Sequence, residues 1–220
     1  NLSLKISGKK VKPHYLGNML PSNGYIYNLS LSKEFNYFMD GFSLNEEYGT
    51  FGSILKPNHT SRIDFDIKYF MKNKYGSTSI STKVGAISNK NIDDFFYYFG
   101  GGLPGIKGYT FYEPDLTGQG IMVNTFNFRK LLIDKSFFDY FDYLDLNKLS
   151  LGLIYQFGNA FNGSMYQFTR ATKASTGIEI RAKGFIFYGY PLAISIEHHY
   201  ALNDKSETKG KSYFKLLFDF

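Results

Sequence analysis

The sequence predicts an all-β fold, an antiparallel transmembrane β-barrel, and three observations carry that prediction. Apolar and polar residues alternate along many segments, which gives an extended chain one oily and one wet face. No run approaches the roughly 18 consecutive apolar residues of a membrane helix. The chain ends on an alternating segment, with Phe214, Leu216, Phe218 and Phe220 on one side and Tyr213, Lys215, Leu217 and Asp219 on the other, as in a strand that closes a lipid-facing barrel.

The elements follow in order. A weak strand pattern occupies the first ten residues, and clearer ones run over 25 to 38, 42 to 55 and 76 to 88. The cleanest is 62 to 72, where Ile63, Phe65, Ile67, Tyr69 and Met71 share one face and Arg62, Asp64, Asp66, Lys68 and Lys72 the other, with Phe70 the exception. Met122, Phe126 and Phe128 oppose Thr125, Asn127 and Arg129. The aromatic stretch within 131 to 148 fits a short amphipathic helix or an irregular loop at a membrane rim, and the pattern leaves both open. Leu149, Leu151, Leu153, Tyr155 and Phe157 form the next strand, and 159 to 176 reads as a polar loop. Residues 178 to 188 and 190 to 197 alternate on either side of Gly189, which supplies a tight reversal. With the terminal strand they make a three-strand meander, joined by the polar loop 203 to 210. The total is roughly ten strands, each near the length of a tilted membrane strand.

Composition narrows the function classes. The 23 Phe and 19 Tyr include Tyr188, Tyr190, Tyr200 and Tyr213 near strand ends, the place of an interfacial aromatic belt; a β-sandwich would bury such rings between two sheets. The formal charge of +6 is spread thinly, so no basic stripe for nucleic acid exists, whereas membrane lipid headgroups or a basic lumen fit the balance. Without cysteine there is no disulfide scaffold and no thiol chemistry. Asn1 opens no signal peptide, so a targeting segment is expected upstream or removed.

Catalytic patterns are weak. His198 and His199 point to opposite faces of a strand, which disfavours a shared metal site, and His14 and His59 lie far off in sequence. Ser164 lacks the glycine spacing of a nucleophile elbow. No enzyme activity and no cofactor or metal is expected.

The most specific motif is Phe99-Gly100-Gly101-Gly102-Leu103-Pro104-Gly105-Ile106-Lys107-Gly108-Tyr109. Five Gly and one Pro between 100 and 108 imply a tightly folded loop, with Leu103, Ile106 and Tyr109 available for packing. Its glycine spacing and the order Lys107-Gly108-Tyr109 fit no phosphate-binding signature.

This loop resembles the inward-folded loop of the outer-membrane surface-antigen superfamily, the BamA/TamA-like assembly proteins and two-partner-secretion transporters. The segment from Tyr155 through Gln156 and Gly158 to Gly163 resembles the facing barrel strand, and Phe214 to Phe220 the terminal seam strand. The resemblance implies an outer-membrane location in a Gram-negative bacterium and the C-terminal part of a sixteen-strand barrel, with 1 to 220 as one barrel domain or segment. It also implies help with protein insertion or translocation, or a structural membrane role. Implied partners are membrane lipid, a polypeptide substrate and further barrel strands or assembly subunits. Inward-loop residues are Gly101, Gly102, Pro104, Gly105, Lys107, Gly108 and Tyr109; loop-facing residues are Gln156 and Gly158; seam residues are Phe214, Leu216, Phe218 and Phe220. Lys107 stands where the family has arginine and Gln156 where it has aspartate, so Asp64, Asp66 or Glu179 are alternative partners for Lys107. Two further readings are a barrel hydrolase or receptor and a soluble β-sandwich binding protein.

Overall fold

The computed structural model describes residues 1–12, 23–45, 47–88, 92–141, 143–163, 172–187, 189–203 and 210–218. Among them are eleven strands: β1 (Leu2–Lys12), β2 (Asn23–Asn45), β3 (Thr50–Asn73), β4 (Gly76–Ile87), β5 (Tyr98–Phe99), β6 (Thr117–Gly118), β7 (Gly120–Tyr140), β8 (Leu144–Phe161), β9 (Lys173–Ile186), β10 (Tyr190–Ala201) and β11 (Lys211–Phe218). Nine form one antiparallel sheet in the order β1-β2-β3-β4-β7-β8-β9-β10-β11, and β5 pairs with β6 in a small second sheet.

The large sheet is open. Closure of a barrel requires the first and last strands to pair, whereas among the described residues β1 pairs with β2 alone and β11 with β10 alone. This finding overturns the transmembrane barrel, and with it the outer-membrane location, the lipid partner, the barrel-completing strands and the insertion or translocation role that depended on closure. A period of two specifies a two-faced strand; it does not specify what meets the outer edge of the last one. Among the described residues no helix is long and apolar enough to cross a membrane. A large sheet with a smaller one laid over it agrees better with the β-sandwich alternative than with the barrel.

Three local expectations also change. The stretch 42 to 55 is a hairpin end, with Asn45 paired to Thr50 and Gly49 at a positive φ of 59°. The pattern survived the reversal because both arms alternate. The ambiguous stretch 131 to 148 is neither helix nor loop: β7 runs to Tyr140, turns at Phe141 (φ 47°) and returns as β8. Register shifts between Leu131 and Ile133 and between Asp134 and Phe138 scramble the alternation there, so the strand is hidden from a period-two reading. The loop expected over 159 to 176 is shortened by β8 reaching Phe161 and β9 starting at Lys173. His14, Ser164, Tyr188, Asp219 and Phe220, and the loop positions 204–209, lie outside the described residues.

The segment between β4 and β7 crosses one face of the sheet. It carries the small β5–β6 sheet and two short 3-10 turns, Asp94–Phe96 and Pro114–Leu116. Ile92, Tyr98, Ile106, Tyr109 and Leu116 from this segment pack with Ile87, Ile121, Val123 and Ala160 of the sheet, forming the hydrophobic core. Among the described residues nothing covers the opposite sheet face, so Ile178 and Ile196 are 51% and 57% exposed while their neighbours Glu179 and Glu197 are 0% and 1% exposed. Around the middle of β9 and β10 the charged Glu179 and Glu197 are inside and Ile178, Ile180 and Ile196 outside, whereas Leu192 and Ala193 near the start of β10 are buried.

Candidate functional site

The glycine-rich loop is tied by its own backbone before any side chain acts. Gly100 donates to the Leu116 carbonyl at 2.6 Å, and Ile106 donates to the Gly100 carbonyl at 2.7 Å. Gly102 and Gly108 take φ values of 72° and 97°, a left-handed region that side chains resist. Gly101 is pressed against the Thr110 carbonyl, and Gly105 against Gly100. Ile106 and Tyr109 are buried in the core, whereas Leu103, expected to pack, is exposed, as is Pro104.

Gln156 on β8 grips this loop from below. Its Oε1 accepts the Lys107 backbone N–H at 3.0 Å, and its Nε2 donates to the Gly105 carbonyl at 3.2 Å and to Thr125 Oγ1 at 3.0 Å. Each side of the carboxamide is thereby satisfied inside the protein, as burial demands. Gly158, two residues on, lies against the Met122 carbonyl, where a side chain would clash. Gly108 donates to the Tyr213 hydroxyl at 3.1 Å, and the Tyr109 hydroxyl donates to the Ala174 carbonyl at 3.0 Å.

The Lys107 ammonium bonds Glu197 on β10, not Asp64, Asp66 or Glu179. Lys215 reaches the other oxygen of Glu197 at 2.7 Å, and His199 Nε2 lies 3.2 Å from the carboxylate. Directly across the strand pair stands Glu179, bonded by Arg129 Nε and by Arg181 at 2.5 Å each. Gly152, between Arg129 and Glu179 in the register, leaves the space through which the arginine crosses. Two like-charged carboxylates face each other here, a repulsive arrangement made stable by four surrounding cations.

Burial would raise Glu197, but the hydrogen bond to His199 and the two lysines hold its carboxyl well below the usual range. Burial likewise works against Glu179, and Arg129 and Arg181 bring it down. The cations bear the opposite strain. Burial lowers Lys107 to about 8 in spite of Glu197, with Lys215 adding to the effect. Water still reaches Lys68 within the cavity, yet loss of bulk solvent there and then repulsion from Arg129 and Arg181 bring it to about 8. Lys183, deeper on β9, is lowered to about 6 by burial and by Arg181 and Arg129.

Asp64 serves a second anchor. It accepts the Tyr98 hydroxyl at 2.8 Å and pairs with Arg62, whose guanidinium lies 4.3 Å from the centre of the Tyr98 ring. Asp66 stands opposite Lys83 across β3 and β4.

The four seam residues do not gather at a site. Phe214 and Leu216 are exposed on the uncovered face, the Phe218 backbone pairs with Leu192, and Phe220 lies outside the described residues. The opposite side of β11 carries the contacts to the loop and to Glu197, through Tyr213 and Lys215. His199 is buried beside Glu197 while His198 faces away to Ser212, and among the described residues no group of three potential metal ligands exists.

A cavity of about 460 Å³ opens between the loop and the sheet. Its wall draws on β2, β3, β4, β7, β8, β9, β10 and β11 as well as on Leu103, Pro104, Gly105 and Lys107. The twist of the sheet brings Lys68 on β3 and Lys215 on β11 onto one wall, although six steps separate their strands in the order.

Glu197, Arg129, Arg181 and Tyr213 are the members the sequence reading missed. A signal existed: Glu179, Arg181 and Lys183 share one parity on β9, which places three charges on a single face with a neighbour strand available to answer them. No protein-family model matches the chain, and no curated protein matches it. The resemblance to the surface-antigen superfamily therefore has no support from these comparisons, and the open sheet contradicts the closed barrel it implied.

Proposed function

We propose that residues 1 to 220 form a non-catalytic binding domain whose working surface is the cavity beneath the glycine-rich loop. One observation carries this reading: eight strands and a rigidly docked loop converge on a single cavity of small-molecule size. The loop is fixed by the Gln156 amide and by the Lys107–Glu197 pair, so the cavity is shaped before any ligand arrives. The acidic groups argue for binding over catalysis. Glu179 and Glu197 are pinned as carboxylates by their cation partners, far from the range in which a general acid works at neutral pH.

The test uses four solutes of different charge and shape, inorganic pyrophosphate, citrate, glucose and spermidine, titrated calorimetrically into the wild type and into Ser81→Trp. Ser81 lines the cavity and is half-buried, so an indole there fills it. Saturable binding of at least one solute, lost in Ser81→Trp with circular dichroism unchanged, is the expected result. Binding of none, or binding indifferent to the indole, overturns the reading.

A further inference from the structure

The charges on the cavity wall name the class of ligand. We infer that the cavity takes a small multivalent oxyanion, a phosphate or carboxylate compound with more than one acidic group; this rests on the binding role proposed above.

Lys68, Lys83, Lys107, Arg129, Arg181 and Lys215 all line the cavity. Three carboxylates answer these six cations: Asp66 and Glu197 on the wall, and Glu179 beneath the two arginines. The excess is three positive charges in a space of about 460 Å³. Four of the cations are arranged as two pairs, each pair sharing one carboxylate, so the sharing itself is incomplete. Among the described residues no salt bridge pairs Lys68 with a carboxylate of its own, and its ammonium lies 5.1 Å from the centre of the Phe70 ring. Arg181 keeps a buried Nε with no hydrogen-bond partner among the described residues, an unmet donor on a guanidinium whose outer nitrogen already holds Glu179.

These features select against the other classes. A cation meets net repulsion. A neutral sugar would use Thr125 and Asn127 but leave the excess charge in place. A monovalent anion cancels a third of it. The confined volume suits a small molecule better than an acidic polymer, and an oxyanion supplies the several acceptors that clustered lysine and arginine donors require. Lys68 is lowered first by desolvation and then by repulsion from Arg129 and Arg181, and a bound anion offsets that repulsion.

The decisive titration compares pyrophosphate and citrate with glucose and spermidine on the wild type, Lys68→Glu, Lys68→Arg and Lys33→Gln. Lys68→Glu removes one cation and adds one carboxylate without unpairing an existing carboxylate, and Lys33 does not line the cavity. The expected result is that pyrophosphate, citrate or both bind the wild type. Lys68→Glu weakens that binding by about tenfold or more, as loss of one charge-assisted bond implies, while Lys68→Arg and Lys33→Gln bind nearly as the wild type does. Preference for one oxyanion over the other identifies the phosphate or carboxylate source. Ser81→Trp-sensitive binding of glucose or spermidine, with none of the oxyanions, overturns the ligand class and leaves the binding role standing. No binding of any solute removes both. Oxyanion binding that ignores Lys68→Glu and Ser81→Trp marks an adventitious ion only and overturns the site.

Discussion

The β9–β10 pair and the outer half of the β2–β3 hairpin follow the same period of two, yet they use it differently. In β9 and β10, Glu179, Ser195, Glu197 and His199 are sealed beneath other residues, and Ile178, Ile180 and Ile196 are open to solvent. In the hairpin, Tyr37, Phe38 and Met39 are all exposed in succession, as are Ile54 and Leu55 on the facing arm. The difference lies in what lies over the strand. The segment between β4 and β7 covers the charged face of one region, whereas at the outer hairpin it touches Phe38 through the Phe96 ring, with 5.5 Å between centroids, and leaves Tyr37, Met39, Ile54 and Leu55 exposed. Burial in this molecule is decided by cover first and by side-chain chemistry second.

The largest effect that can test this contrast is at Glu197. Glu197→Ala leaves Lys107 and Lys215 without their shared carboxylate, and removal of one member of a buried ion pair costs about 3 to 5 kcal/mol. Its exposed neighbour, changed as Ile196→Ala, should cost less than about 0.5 kcal/mol as a surface substitution. Urea denaturation of the two variants measures both, and equal losses would break the comparison.

Ile106 comes next. It is wholly buried where the loop meets the sheet, so Ile106→Ala should cost about 2 to 5 kcal/mol, whereas Leu44→Ala near the hairpin tip should stay within about 0.5 kcal/mol. The midpoint of thermal unfolding reads the pair, and a large loss at Leu44 would show hidden cover over the hairpin.

Glycines sharpen the contrast on a smaller scale. A methyl at Gly101 runs into the Thr110 carbonyl, while one at Gly41 meets nothing within 4 Å. Gly101→Ala is expected to cost about 1 to 3 kcal/mol by overpacking, and Gly41→Ala to be close to neutral. Proteolysis within the loop, compared with proteolysis at the hairpin, shows where the loosening occurs.

The smallest effect is with pH. Glu179 and Glu197 have folded values below their unfolded ones, so their contribution is fully present above about pH 4.5 and is lost as acid carries the pH down through the folded values. Between pH 4.5 and 3.5 stability should fall by about 1 kcal/mol through Glu197, whose folded value lies far below that window, with Glu179 acting in the same direction, and Glu197→Gln should flatten the slope. An unchanged slope in that variant would remove Glu197 from the account.

These contrasts show what was legible in the residues and what was not. The all-β character could be seen at 62 to 72, since alternation is a local property and β3 keeps it through eleven residues. The end of β7 could not, because its bulges shift the register without leaving a glycine or proline to mark them. Barrel closure was expected from the terminal residues, but pairing of β1 with β11 is a long-range matter on which alternation is silent. At the site, glycine density exposed the loop, whereas Lys107 and Gln156 were singled out through the resemblance to the surface-antigen superfamily. The Glu197 contact joins positions ninety residues apart and had no local sign.

The grip of Gln156 has a consequence for how such a domain can vary. Its carboxamide recognises the peptide groups of residues 105 and 107, which every amino acid except proline can offer at the donating position. Docking is therefore blind to the outward residues Leu103 and Pro104, which border the cavity mouth. That rim can be rewritten, and ligand preference retuned, while the clasp that seats the loop keeps its hold.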